Sequence, residues 1–214
     1  MNVQPQVATL DVILCHQRMA DGTRQKKTAD GRVYVGMHGL ETADGHKEYF
    51  DDPDCAIMNY ALEHYDFWRT RYAGNVQLFK TPGIFGENLA TRGITENTVC
   101  IGDIFRVGSA LLQLSWGRVA CGTMAERLHD PDAPELMHQQ SRNGWFYRVL
   151  QMGEIQAGNI ITLVERPHSD WPLSRVQKII FNPDASVGDL EALSKLNLLA
   201  AAWKNEVQAR LDLM

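Results

Sequence analysis

A chain of 214 residues with a formal net charge of −5, 44% hydrophobic and 22% charged, has the composition of a globular protein able to build its own core. No basic run is present to neutralise phosphates, which excludes a general nucleic-acid binder, and no apolar run nears the ~20 residues of a membrane-spanning helix. The four cysteines form no Cys-x-x-Cys pair and no secretory leader pattern is visible, so we expect no structural zinc, no disulfide framework, and a reducing, cytoplasmic setting.

In chain order, Val7 to Leu14 is apolar and rich in β-branched residues, the pattern of a strand. Residues 16–31 are polar and read as a mobile loop. Arg32 to Val35 suggests a second strand, after which Gly36, Gly39 and Gly45 punctuate a turn-rich stretch flanked by His38 and His46. Two readings stand for the next segment. Pro53 after Asp52 can open a helix with Ile57, Tyr60, Ala61, His64 and Trp68 on one face; alternatively, 55–60 is a buried strand feeding a helix from about Ala61 to Tyr72. Asp51, Asp52 and Asp54 make an acidic turn with oxygens that suit a hard cation, although such turns also precede helices as plain caps.

Pro82-Gly83 breaks the chain ahead of Phe85-Gly86-Glu87-Asn88-Leu89. Ile104 to Val107 alternates, Gly108-Ser109 turns, and Ala110 to Trp116 alternates again, which predicts a hairpin with Leu112, Leu114 and Trp116 on one face. Arg118 and Cys121 follow the strand end, where loops present functional groups on a rigid frame. A thiol with an ordinary pKa near ~8.5 is only ~3% ionised at pH 7, whereas one near ~6.5 is ~75% thiolate, and a neighbouring arginine pushes in that direction. From the residues alone Cys121 stays open between a core thiol, a metal ligand and a nucleophile using His129 or His138 as base.

Thr123 to Leu128 and a segment from Ala133 read as short helices, and Phe146 to Met152 and Asn159 to Glu165 as strands linked across Gly153 and Gly158. Strands joined by short turns argue for a mainly β fold, an antiparallel or mixed β-barrel with peripheral helices, rather than a doubly wound sheet. After Pro167, Leu173 to Ile180, Ser186 to Leu193 and Leu198 to Leu211 are helical in pattern, with Ser186 and Asp189 spaced as a capping box. The expected organisation is an N-terminal strand and loop (1–30) packing on a barrel (31–166), and a three-helix unit (172–213) too small to stand alone. No Gly-x-Gly-x-x-Gly, P-loop, His-Glu-x-x-His or Gly-x-Ser-x-Gly occurs, which removes the usual support for nucleotide-dependent and hydrolase chemistry.

One set of residues, taken together, resembles a known family. It comprises Gly39-Leu40-Glu41, Pro53-Asp54 with Ala56, Glu63-His64-Tyr65 with Trp68, Phe85-Gly86-Glu87-Asn88-Leu89, Gly102-Asp103, Arg118 and Cys121. It continues with Gly144-Trp145, Arg148-Val149-Leu150, Gly153, Gly158, Asp189-Leu190-Glu191-Ala192-Leu193 and Trp203. In order and spacing these resemble the MOSC family, named for the C-terminal domain of molybdenum cofactor sulfurases, and within it the stand-alone YiiM-like members with a three-helix extension.

The resemblance implies a β-barrel that binds the molybdenum cofactor, a molybdopterin, with Cys121 as metal ligand and catalytic centre. Gly86, Glu87, Asn88 and Arg118 would line the site, Arg118 meeting the anionic pterin phosphate or oxo groups and Asn88 the pterin, with Arg142 as a further phosphate residue. It also implies reduction of N-hydroxylated bases or amidoximes, as small-molecule substrates, with electrons from a separate donor protein and the cofactor carrying the chemistry. A carrier of cofactor or of persulfide sulfur without turnover, and a scaffold lacking the metal, remain alternatives; a homodimer is also left open. Where relatives commonly show His-Gly-Gly-Pro-Asp, this chain reads Phe50-Asp51-Asp52-Pro53-Asp54, which would set two carboxylates near an anionic cofactor.

Overall fold

The structure, a computed structural model, describes residues 7–18 and 24–214. Its strands are β1 (Val7–Arg18), β2 (Arg24–Thr28), β3 (Arg32–Gly36), β4 (Gly39–Thr42), β5 (Ile57–Ala61), β6 (Leu89–Arg92), β7 (Ile104–Val107), β8 (Ala110–Gly117), β9 (Trp145–Gln151), β10 (Gly153–Gln156) and β11 (Ile160–Glu165). Its helices are α1 (Glu63–Arg71), α2 (Gly122–Leu128), α3 (Ala133–Gln139), α4 (Leu173–Ile180), α5 (Val187–Ser194) and α6 (Ala201–Leu211).

Seven strands lie in the order β11-β7-β8-β9-β5-β6-β1, and β1 returns to pair with β11, closing a barrel. Only β5 and β6 run parallel; every other neighbouring pair is antiparallel, so the barrel is mixed. Closure leaves the barrel staves without a free edge. β5 is buried at all five positions because it lies between β6 and β9, which explains why its sequence runs apolar rather than alternating. The predicted hairpin is present, with Val107 opposite Ala110 across a two-residue turn.

Three sequence expectations change. Residues 16–31 are not all loop: β1 continues to Arg18, and Arg24–Thr28 pairs with it from Leu14 onward, while residues 19–23 of that stretch lie outside the described residues. Of the two readings for 51–72 the strand is the one observed; Pro53–Cys55 is only a short 3-10 turn, followed by β5 and then α1. The link across Gly153 and Gly158 is itself a strand, β10, which leaves the barrel to form a three-stranded sheet in the order β10-β3-β4.

The barrel core, including Leu10, Ile57, Phe105, Leu112, Tyr147 and Ile161, is continuous with the apolar face of α4 to α6, where Leu173, Val176, Leu190, Leu193, Trp203 and Val207 are buried. The helical unit therefore docks on the barrel rather than standing off it. Trp203 meets Trp116 of β8 edge-on with ring centroids 5.7 Å apart. Gly117 makes this seating possible: a Cβ there would lie 2.7 Å from Nε2 of Gln177 and 2.8 Å from the Trp203 ring. A second apolar cluster joins α1, α2 and α3 around Tyr60, Trp68, Phe79, Phe85, Met124 and Met137.

Ser186 caps α5 as expected, accepting from the Asp189 N–H at 3.1 Å and donating to its carboxylate at 2.8 Å. Ser186→Ala is expected to cost about 1 kcal/mol, read as a lower urea midpoint with an unchanged m-value. Among the described residues no helix is long and apolar enough to cross a membrane.

Candidate active site around Cys121

β8 ends at Gly117, and four residues later Cys121 stands as the extended N-cap residue of α2. The intervening backbone is pinned twice. Arg118 N–H donates to Gly144 O at 3.0 Å, and Ala120 N–H donates to His138 Nε2 at 3.1 Å. Met124 N–H then closes onto Cys121 O at 2.8 Å. The thiol is exposed, unlike those of Cys15 and Cys100, which are buried. Its pKa is lowered chiefly by hydrogen bonds from the Thr123 N–H and hydroxyl; burial opposes them, and the charges of Arg118 and Arg127 add smaller lowering effects. By contrast burial pushes the Cys15 thiol up to about 11 and the Cys55 thiol up to about 12.

Arg118 lies largely out of solvent, and its Nη1 has no hydrogen-bond partner. Burial lowers its pKa, yet a guanidinium stays protonated in a protein, so this is a desolvated cation whose charge acts on the Cys121 thiol. Arg127 adds a second positive charge, its Nη1 donating to Ile84 O at 3.1 Å. Gly86, with φ of +81°, makes room for it, since a Cβ there would come within 3.2 Å of Arg127 Nη1.

Glu87 is fully buried. Its Oε1 accepts from Gly83 N–H at 2.8 Å and from the Tyr65 hydroxyl, and its Oε2 has no partner. Both Arg118 and Lys26 feel the Glu87 charge, so this carboxylate links the cysteine to a neighbouring cleft. That cleft, of about 330 Å³, is lined by His16, Lys26, Pro82, Gly83, Ile84 and Arg127 among others. Its wall is the β1–β2 hairpin, tied down by Glu48: Oε1 pairs with Lys26 Nζ at 2.6 Å and His16 Nδ1 at 2.8 Å, and Oε2 accepts from Asn88 Nδ2 at 2.9 Å.

The structure thus brings Cys121, Arg118, Glu87 and Gly86 together. Asn88 and Arg142 are placed differently. Asn88 is fully buried and spent on the scaffold: Oδ1 accepts from Met58 N–H at 3.0 Å, while Nδ2 reaches Glu48 and, at 3.4 Å, Leu14 O. Arg142 donates to His64 Nδ1 at 2.9 Å and lies over the Phe67 ring, 4.3 Å from its centroid. His64 Nε2 in turn meets Glu96 at 2.6 Å, and Glu96 holds Gly144 N–H at 2.7 Å. Arg142 thus ties into the frame through His64 and Phe67, while its Nε is buried without a partner.

Other sequence candidates resolve into structural roles. His38 Nδ1 meets Phe50 O at 3.0 Å, and its ring stacks on Tyr49. Asp52 caps the turn by accepting from Asp54 N–H at 2.8 Å, and Asp54 pairs with Arg148 at 2.7 Å. The groups acting electrostatically on Cys121 are Arg118 and Arg127, and those acting on Arg118 are Tyr60 first, then Cys121, Arg127 and Glu87, rather than this acidic turn. No hydrogen bond joins Cys121 to a histidine among the described residues: His138 Nε2 is taken by Ala120 N–H, and His129 is the exposed left-handed residue ending α2. Among the described residues no three His, Cys, Asp or Glu side chains are arranged to hold a metal ion.

Sequence reasoning missed Lys26, His16, Glu48 and Arg127. Arg127 had a readable signal, being the one cation in the helix predicted after Cys121. The other three sit in stretches that look like plain polar loop.

Comparison with known proteins places the chain. Residues 43–162 match the MOSC domain and residues 171–213 the YiiM-like, 3-alpha helix domain. Protein YiiM of Escherichia coli (strain K12) is 33% identical over 86% of this chain and 82% of its own length. A protein of Gibberella moniliformis named Reductase is 31% identical over 80% of this chain, which spans 30% of that longer protein. The crystal structure of YiiM from Geobacillus stearothermophilus superposes with a TM-score of 0.80 at 28% identity, covering 95% of this chain and 99% of that one. With its barrel domain and its helical unit both matched, the chain belongs to the MOSC domain family, in the YiiM-like branch that carries the three-helix extension.

Proposed function

We propose that this protein is a molybdenum-cofactor-binding oxidoreductase that reduces N-hydroxylated bases or related small molecules, with Cys121 as a ligand of the metal. The observation that carries the reading is a pair of buried polar atoms without partners, Arg118 Nη1 and Glu87 Oε2, on two side chains that feel each other's charge, with Arg118 also acting on the exposed Cys121 thiol. Buried polar groups are normally satisfied, and an orphaned donor and acceptor beside a cleft are what a polar ligand would complete. The residues fit the group. A soft thiolate suits molybdenum, the guanidinium suits its anionic portions, and the carboxylate oxygen suits a pterin N–H. Lys26 and His16 line the same cleft, held there by Glu48.

When bound, the cofactor supplies the two-electron chemistry that reduces an N–OH bond. The chain's own contribution is to hold the thiolate at the end of a rigid strand, to neutralise anionic charge with Arg118 and Arg127, and to orient the ligand through Glu87. Electrons would come from a separate donor protein. The Gibberella relative's name supports the oxidoreductase class. An exposed free thiol at the site fits a cytoplasmic, reducing setting.

The test is molybdenum per chain by mass spectrometry after expression in cells that make the cofactor, with released pterin measured by fluorescence. Wild type is expected to carry near-stoichiometric metal and Cys121→Ser to lose about tenfold or more, because a hydroxyl at ordinary pKa offers no soft anionic ligand. Loaded wild type should then reduce an amidoxime with a supplied reductant. Wild type that holds neither metal nor pterin under excess cofactor would sink the reading. Loading without turnover would make the protein a carrier.

A further inference from the structure

The segment carrying Cys121 is held at two backbone amides, and one is held from outside the barrel. Arg118 N–H goes to Gly144 O, whereas Ala120 N–H goes to the ring of His138. His138 occupies the last turn of the short helix α3, a position with little to fix a half-buried ring. The fixing comes from the helical unit. Phe181, which ends α4, stacks on His138 with centroids 3.9 Å apart and planes 14° from parallel. Phe181 is set edge-on by Trp203 of α6 at 6.2 Å, and Trp203 is wedged against Trp116 of β8. The Ala120 N–H points at Nε2, so this ring nitrogen is the acceptor of the pair.

We propose that the C-terminal three-helix unit is part of the machinery that positions Cys121: Phe181 clamps the His138 ring, and the ring clamps the amide one residue before the cysteine. Phe181 and His138 are positioning residues and touch no reacting atom. Trp203 supplies the rigid backing, and Gly117 lets that backing reach the strand end. The role is one of geometry and holds whether or not molybdenum binds.

Backbone amide exchange followed by NMR on the metal-free protein tests it. In Phe181→Ala the Ala120 amide is expected to exchange about tenfold faster, while the Arg118 amide, anchored on Gly144, changes by less than about twofold. Phe181→Tyr should restore Ala120 to within about threefold of wild type, since the stacking face is kept. His138→Phe keeps the stack and removes the acceptor, so it should release Ala120 as well, and it decides the matter if Phe181→Ala does not fold. Ala120 protection unchanged in these variants overturns the proposal. So does equal acceleration of Ala120 and Arg118, which would mean general loosening. Because no metal is present, failure of molybdenum to bind defeats the proposed function without touching this result.

Discussion

Glu48→Ala is expected to lower global stability by about 3–5 kcal/mol, measured by urea denaturation, because it strands Lys26 as a buried cation without its partner. The side chains of Lys26 and Glu48 are each only 4% exposed, so water cannot readily replace the lost carboxylate. Glu48 also collects His16 and Asn88, and Asn88 bridges β1 and β5, so the loss reaches from the cleft wall into the barrel. Burial alone would raise the Glu48 carboxyl; the His16 hydrogen bond and the charge and hydrogen bond of Lys26 overcome it and bring the pKa to about 2, from an ordinary 4.5. A carboxyl lowered in the folded state contributes stability that is complete above its unfolded pKa and lost as pH falls through the folded one. The acid limb of wild-type stability should therefore run from about pH 4.5 down to about 2, and Glu48→Gln should flatten it. A loss below about 1 kcal/mol in Glu48→Ala would contradict the buried-pair account.

Gly144→Ala is expected to cost about 3 kcal/mol or more, combining backbone strain with overpacking. Gly144 sits at φ of +77°, and a Cβ there would lie 2.5 Å from Asn59 O and 2.9 Å from the Tyr60 ring. Neither neighbour can yield, since Asn59 and Tyr60 belong to β5, which is buried throughout. The same residue passes its N–H to Glu96 and its carbonyl to Arg118 N–H, so the substitution should also loosen the approach to Cys121. Thermal melting checks the first effect and faster exchange of the Arg118 amide the second. A variant that melts with wild type would show that the segment shifts freely, against the packing described.

What could be read from the residues follows the strength of local patterns. The β7–β8 hairpin alternates and carries its own turn, and Ser186 with Asp189 is a short-range motif; both are found as read. β2 was hidden because Arg-Gln-Lys-Lys-Thr has no apolar face; it is a strand only because β1 runs on past the barrel and offers it a partner. β5 was ambiguous because burial on both sides erases the alternation that marks a strand. Cys121 was legible through the preceding strand and Arg118. Glu87 and Asn88 look equivalent side by side, yet one keeps an unpartnered oxygen while the other is consumed by the backbone of Met58 and Leu14. Sequence does not distinguish a polar residue buried for a ligand from one buried for the scaffold, since both answer the same need to satisfy hydrogen bonds. The Lys26–Glu48 pair was invisible because the partners are brought together by the hairpin packing across the barrel, not by spacing.

The pairing of β1 with β11 sets the timing of synthesis. Thr9 meets Ile160, so the first stave of the barrel must wait for about 150 further residues before its second neighbour exists. At ribosomal speeds of about 5–20 residues per second that interval is roughly 8–30 s. Throughout it β1 can pair with β2 and, once residue 92 is made, with β6, but its outer edge at Val7–Thr9 stays open and the barrel unclosed. Such non-local closure makes for slow folding, and the nascent chain is a natural client for holdase chaperones until β11 emerges.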